Sequence, residues 1–160
     1  MKGKKISILA LFIALSTVGA FIKIPGMVGS VALDSFPSLL AGVMLGGVSG
    51  GVVAGIGHLL SAFLAGFPLG SFHFIICVEM FLLVLFFSLL YRIGKKYMAY
   101  CFFIVANSII LPLPFLFLMS KAFYFMITPS LFLSAMINAA VAYLLLARLE
   151  TTSLWRKISQ

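Results

Sequence analysis

Residues 42–63 read GVMLGGVSGGVVAGIGHLLSAF, a run with seven glycines, one histidine and no formal charge. Glycine lowers helix propensity and adds no apolar side chain, so its crowding here has to serve a turn or a close contact between helices. The apolar run that contains it, Phe36 to Phe67, is too long for one membrane crossing of about 20 residues. Gly46, Gly47, Ser49, Gly50 and Gly51 stand at its middle and carry turn chemistry. The run therefore divides into a short helix, Pro37 to Gly46, and a full one, Val48 to Ala65.

The rest of the chain has the same character. Of its 160 residues 64% are hydrophobic and only 9% charged, with a mean hydropathy of +1.27. A soluble domain of this size needs far more polar surface, so lipid is the expected solvent for most of the exterior. The fold class that follows is an all-α integral membrane protein, a single domain over residues 1–160. The other spans are expected at Lys5 to Phe21, Phe72 to Arg92, Tyr97 to Met119 and Pro129 to Leu149. Outer loops are expected at Ile22 to Phe36 and Ser120 to Thr128, with a turn through Gly66, Pro68 and Gly70. The two long loops are apolar enough to fold back over the bundle as a lid.

Charge fixes the orientation. With six transmembrane helices and both termini cytoplasmic, the inner ends hold Lys2, Lys4, Lys5, Arg92, Lys95, Lys96, Arg148, Arg156 and Lys157, leaving Lys23 and Lys121 outside. Five spans would move the later clusters outward, against the positive-inside rule. The net charge of +8 is thereby explained by anionic lipid, and no nucleic-acid partner is expected. The N-terminal lysines and Val18-Gly19-Ala20 imitate a cleavable signal, but removing that segment would reverse the charge pattern, so a retained first span is expected. Cys77 and Cys101 fall near opposite membrane faces, too far apart for a disulfide.

Few residues can carry chemistry. Glu79 is the single acid inside a span, about 10 Å down the fourth helix from its outer end. It is either a paired structural carboxyl or a ligand contact, and the second reading is favoured because intramembrane acids are functional by default. Asn107 and Asn138 lie mid-span and could staple helices or line a pocket. Pro112 and Pro114 disturb the turn above Asn107 and free carbonyls that hydrocarbon cannot satisfy. Ser130, Ser134 and Asn138 recur at four-residue steps and descend as a polar stripe from the outer mouth.

His58 reads as a buried structural histidine and His73 as a rim contact. The six-residue step from His73 to Glu79 turns them about 120° apart on the helix, so no metal is expected. Phe123, Tyr124 and Phe125 could stack on a planar ligand or anchor at the interface. No phosphate-binding loop, zinc-protease or nucleophile-elbow motif is present, so catalysis and ATP hydrolysis have no visible machinery, and no cofactor is implied.

Six short spans, an apolar first outer loop, a glycine-rich third helix and basic inner ends together resemble the S components of energy-coupling factor (ECF) transporters. On span one, Ala10-Leu-Phe-Ile-Ala14 resembles the AxxxA motif of that family. The resemblance implies a multi-pass protein of the bacterial plasma membrane. It would capture a vitamin or precursor from outside and join a transmembrane coupling subunit and two cytoplasmic ATPase subunits. It implies a ligand site among the outer halves of helices four to six, where Glu79, Asn107, Ser134 and Asn138 fall, with Lys23, Asp34, His73 and Tyr124 in or beside the loops. Met1-Lys2-Gly3-Lys4 lacks the N-terminal histidine of the nickel and cobalt members. The stretch SVALDSFPSLLAGVMLGGVSGGVVAGIGHLLSAF looks most like S components for α-ribazole, a cobalamin precursor, with riboflavin, thiamine or another vitamin as alternatives. In this setting Gly47, Gly51 and Gly55 form a small-residue ridge, expected to meet span two and, alongside Ala10 and Ala14, the coupling subunit. Two other classes remain: a stand-alone facilitator, disfavoured by the scarcity of aligned polar groups, and a structural or assembly protein whose glycines only join helices.

Overall fold

The computed structural model describes residues 2–25 and 30–151; Arg156 and Lys157 lie outside the described residues. Among those described, the helices are α1 Lys2–Gly19, α2 Phe36–Leu45, α3 Gly47–Leu64, α4 Phe72–Arg92, α5 Lys96–Val105, a π-helical turn Ala106–Ile110, α6 Leu113–Leu118 and α7 Lys121–Leu149. Strands β1 Lys23–Pro25 and β2 Ser30–Ala32 pair antiparallel between α1 and α2, with Ile24 opposite Val31. The fold is all-α as expected, and this short pair lies within the outer loop expected from Ile22 to Phe36. β-Branched Ile24 and Val31 favour extended pairing, and the intervening sequence carries Gly26 and Gly29.

Among the described residues, four helices are long and apolar enough to cross a membrane: Gly47–Leu64, Phe72–Arg92, Lys96–Leu118 taken through its π-helical turn, and Lys121–Leu149. Helix α2 has ten residues, about 15 Å or half of a hydrocarbon core. Helix α1 has eighteen residues but opens on three lysines.

The expected outer loop from Ser120 to Thr128 is also corrected. Lys121 to Thr128 is helical and continuous with the last span, giving a helix of 29 residues. The cause is a cap: Ser120 is extended and its Oγ accepts the Phe123 amide at 3.1 Å, satisfying an orphan donor of the first turn. Pro129 is absorbed inside α7.

The glycines of the opening run divide between two helix contacts. Gly46, at φ +104°, is the single residue between α2 and α3, a conformation that a side chain would strain. Where α2 and α3 cross, Gly50 lies directly on the Gly42 backbone. Gly47, Gly51 and Gly55 meet α4 instead: a Cβ on each would come within 2.9 Å of Leu85, 2.8 Å of Phe81 and 3.0 Å of Cys77. Each four-residue step along α3 is thus matched by a four-residue step back along α4, and the backbones approach as closely as small-xxx-small seams allow. The ridge expected to face a partner is occupied by the chain's own fourth helix.

Beneath this seam lies the core. Leu39, Val53, Val84, Phe87, Phe103 and Leu146, from α2, α3, α4, α5 and α7, are essentially inaccessible. Large apolar side chains such as Phe117, Phe125 and Leu144 face outward, the pattern of a surface solvated by lipid. At one end of the bundle, Glu150 accepts from the Tyr91 hydroxyl at 2.9 Å and pairs with Lys96 at 2.7 Å, tying α4, α5 and α7 together. That end gathers the basic residues that open α1 and α5 and close α4 and α7, while Lys121, which opens α7, stands at the other end.

Candidate substrate-binding site

A cavity of about 310 Å³ opens at the other end, bounded by the β2–α2 connection, α3, α4, the π-helical turn and α7. Its size and mainly apolar walls suit a small organic ligand. Phe115 stands at 89° to Phe72, ring centroids 5.8 Å apart, and faces the space together with Phe123 from α7.

Five of the eight residues expected to contact a ligand converge on this space: Asp34, His73, Glu79, Asn107 and Ser134. Glu79 comes from the second turn of α4, and its Oε2 is buried with no hydrogen-bond partner among the described residues. Asn107 belongs to the π-helical turn, where the Leu111 amide reaches back five residues to the Ala106 carbonyl at 2.8 Å. Prolines at 112 and 114 donate no amide to the turn below, which is the disturbance expected from them. Asp34 accepts the Ser35 hydroxyl at 2.9 Å. Burial pushes its carboxyl above the ordinary carboxylate range, and the hydrogen bond from Ser35 opposes that rise.

Two expected contacts support the site from behind and do not line it. Asn138 is fully buried. Its Oδ1 accepts the Ser35 and Phe36 amides at 3.0 and 2.9 Å, and its Nδ2 donates to the Ala32 and Ser134 carbonyls at 2.8 and 3.0 Å. The first donors of α2, which no side chain of α2 itself caps, are therefore capped from α7. Tyr124, expected in an outer loop, is buried in α7, and its hydroxyl donates at 3.2 Å to the Ile109 carbonyl of the π-helical segment. It supplies a donor to the broken helix. The side chain of Lys23 lies outside the described residues; its backbone belongs to β1.

His58 is the lining residue that the sequence reading assigned to structure alone. Its Nε2 lies 3.1 Å from His73 Nδ1, and the Leu69 amide donates at 3.2 Å to His73 Nε2. An amide only donates, so His73 Nε2 is an acceptor, its proton stands on Nδ1, and that proton is given to His58 Nε2. His58 is left with its own proton on Nδ1. The signal was in the glycine seam: a further four-residue step from Gly55 and Cys77 sets Leu59 opposite His73, one residue from His58.

Ala10 and Ala14 are both exposed, one turn apart on α1. This leaves a shallow small-residue stripe open on the surface.

Residues 4–156 match the family model for the substrate-specific component of ECF transporters. A solved structure described as the S component of a bacterial ECF transporter superposes with a TM-score of 0.70 at 20% identity, over 94% of this chain and 97% of that one. No curated protein matches. With the family model spanning nearly the whole length, the chain belongs to the ECF transporter substrate-specific components, the substrate-binding membrane subunits of transporters rather than enzymes.

Proposed function

We propose that this subunit captures a planar, hydroxyl-bearing vitamin precursor from outside the cell, α-ribazole fitting best, and delivers it through a coupling subunit and two cytoplasmic ATPases. The observation that carries the reading is the cavity's place. It lies at the end of the bundle opposite the basic start of α1 and the basic finishes of α4 and α7, and the positive-inside rule favours that basic end as cytoplasmic and the cavity as facing outward. In this orientation both termini are cytoplasmic, and α1 and the short α2 complete six passes together with the four long helices. A benzimidazole would lie against Phe115 and Phe123, with ribose hydroxyls reaching Glu79, Asn107 and Ser134. Riboflavin and thiamine share the flat apolar body and are the alternatives. Asp34 and His73 stand in the lining, while Asn138 and Tyr124 hold the walls. The docking surface for the coupling subunit is the Ala10–Ala14 stripe.

Equilibrium binding of labelled α-ribazole to the purified protein, without ATP, tests this. Saturable binding that weakens at least about tenfold in Glu79→Ala is expected, a loss of roughly 1.4 kcal/mol. Equal binding by wild type and variant would remove Glu79 from the site.

A further inference from the structure

The cavity holds two carboxyl groups, Asp34 and Glu79, and two imidazoles, His58 and His73; no lysine or arginine appears among its described lining residues. The histidines do not supply a fixed positive charge either. A second proton on His73 would stand on Nε2, against the Leu69 amide that already donates there at 3.2 Å. A second proton on His58 would stand on Nε2, against the proton that His73 Nδ1 presents across 3.1 Å. The hydrogen-bond chain from Leu69 through His73 to His58 is satisfied when both rings are neutral.

In the same cavity, Glu79 Oε2 is buried and accepts nothing from the described residues. A carboxyl oxygen withdrawn from water without a donor is costly, and a ligand that brings an N–H or O–H group removes that cost on binding. A ligand carboxylate or phosphate would add a third acid beside Asp34 and Glu79 with no fixed cation among the described lining to meet it. From this arrangement we infer that the site takes only uncharged or cationic ligands, and that Glu79 Oε2 accepts a hydrogen bond from an N–H or hydroxyl of the ligand. Vitamins that carry a carboxylate are excluded. The inference rests on the reading of this cavity as the importer's capture site and narrows its substrate class.

The test is a binding panel on the intact purified protein: thiamine as the cation, riboflavin and α-ribazole as uncharged ligands, biotin and pantothenate as carboxylates. Binding by a member of the first three is expected, with no binding or competition from the last two. Glu79→Gln is expected to weaken that ligand at least about tenfold while the ligand-free protein keeps its unfolding temperature. Binding or competition by biotin or pantothenate would overturn the charge class and leave the importer reading standing. Unchanged affinity in Glu79→Gln would overturn the assigned contact. If none of the five binds, mass spectrometry of the molecule carried from the native membrane decides. An uncharged or cationic ligand supports the inference, and one bearing a carboxylate or phosphate overturns it. A protein that carries no ligand overturns the importer reading and the inference with it.

Discussion

Asn138 caps helix α2 from across the bundle: its side-chain oxygen accepts the Phe36 amide at 2.9 Å from a position 102 residues later in the chain. Four of the five hydrogen bonds of the Asn138 amide go to backbone and the fifth, at 3.4 Å, goes to the Ser134 hydroxyl, so its role is to pin the β2–α2 connection that walls the cavity. Asn138→Leu strips these partners inside a buried site, at a cost of about 1–3 kcal/mol for each group left unpaired. The unfolding temperature of the ligand-free protein in detergent should fall clearly. Asn138→Asp keeps the cap and loses the donors, so it should fall less. An unchanged midpoint in Asn138→Leu would contradict the bracing role.

The α3–α4 seam makes a steric prediction. At Gly51 a Cβ would stand 2.8 Å from the Phe81 carbonyl oxygen, so Gly51→Ala forces the helices apart at about 1–3 kcal/mol. Gly3 has open space around its Cβ position, and Gly3→Ala should leave stability unchanged or raised. Thermal unfolding of the two variants compares a seam glycine with a free one. Equal midpoints would show that the seam tolerates separation.

Ala10 and Ala14 are exposed on the outside of α1. Ala10→Trp and Ala14→Trp should preserve both unfolding temperature and ligand affinity, and abolish uptake when the variant is reconstituted with its coupling subunit and ATPases. Uptake at the wild-type rate would move the docking surface elsewhere.

Asp34 ties stability to pH. Its folded-state carboxyl is held above the ordinary 3.8 by burial, so the folded protein keeps this proton at pH values where the unfolded chain has released it. Its contribution therefore falls as pH rises from the ordinary value through the raised one. Asp34→Asn should flatten that part of the stability profile measured by thermal unfolding across acidic pH. A slope identical to wild type would assign the dependence to another group.

Much of this fold is legible in composition and spacing, because hydrophobic length and glycine placement act locally. The split of the run from Phe36 to Phe67 at Gly46, and the broken helix above Asn107, follow from turn chemistry and from proline's missing amide. What sequence leaves hidden is pairing between distant segments. A serine before KAFYFMIT looks like loop chemistry until its hydroxyl is seen capping α7. Asn138 points down a polar stripe toward a pocket, yet its partners are amides of a helix start that nothing near it in sequence identifies. Gly47, Gly51 and Gly55 announce a close helix contact without naming the helix that makes it. The convergence of Asp34, His73, Glu79, Asn107 and Ser134 was anticipated by position, whereas the coupling of His58 to His73 depends on the register of the seam.

The central claim is that the cavity between the β2–α2 connection and α7 holds the transported molecule. Mass spectrometry of small molecules released from protein purified out of its native membrane, compared with Ser134→Trp, addresses it most directly, because Ser134 faces the cavity and a Trp there fills it. The expected result is one planar, uncharged or cationic metabolite in equal stoichiometry with the wild-type protein and missing from the folded variant. The same metabolite at full occupancy in both, or none in the wild type, would contradict the claim.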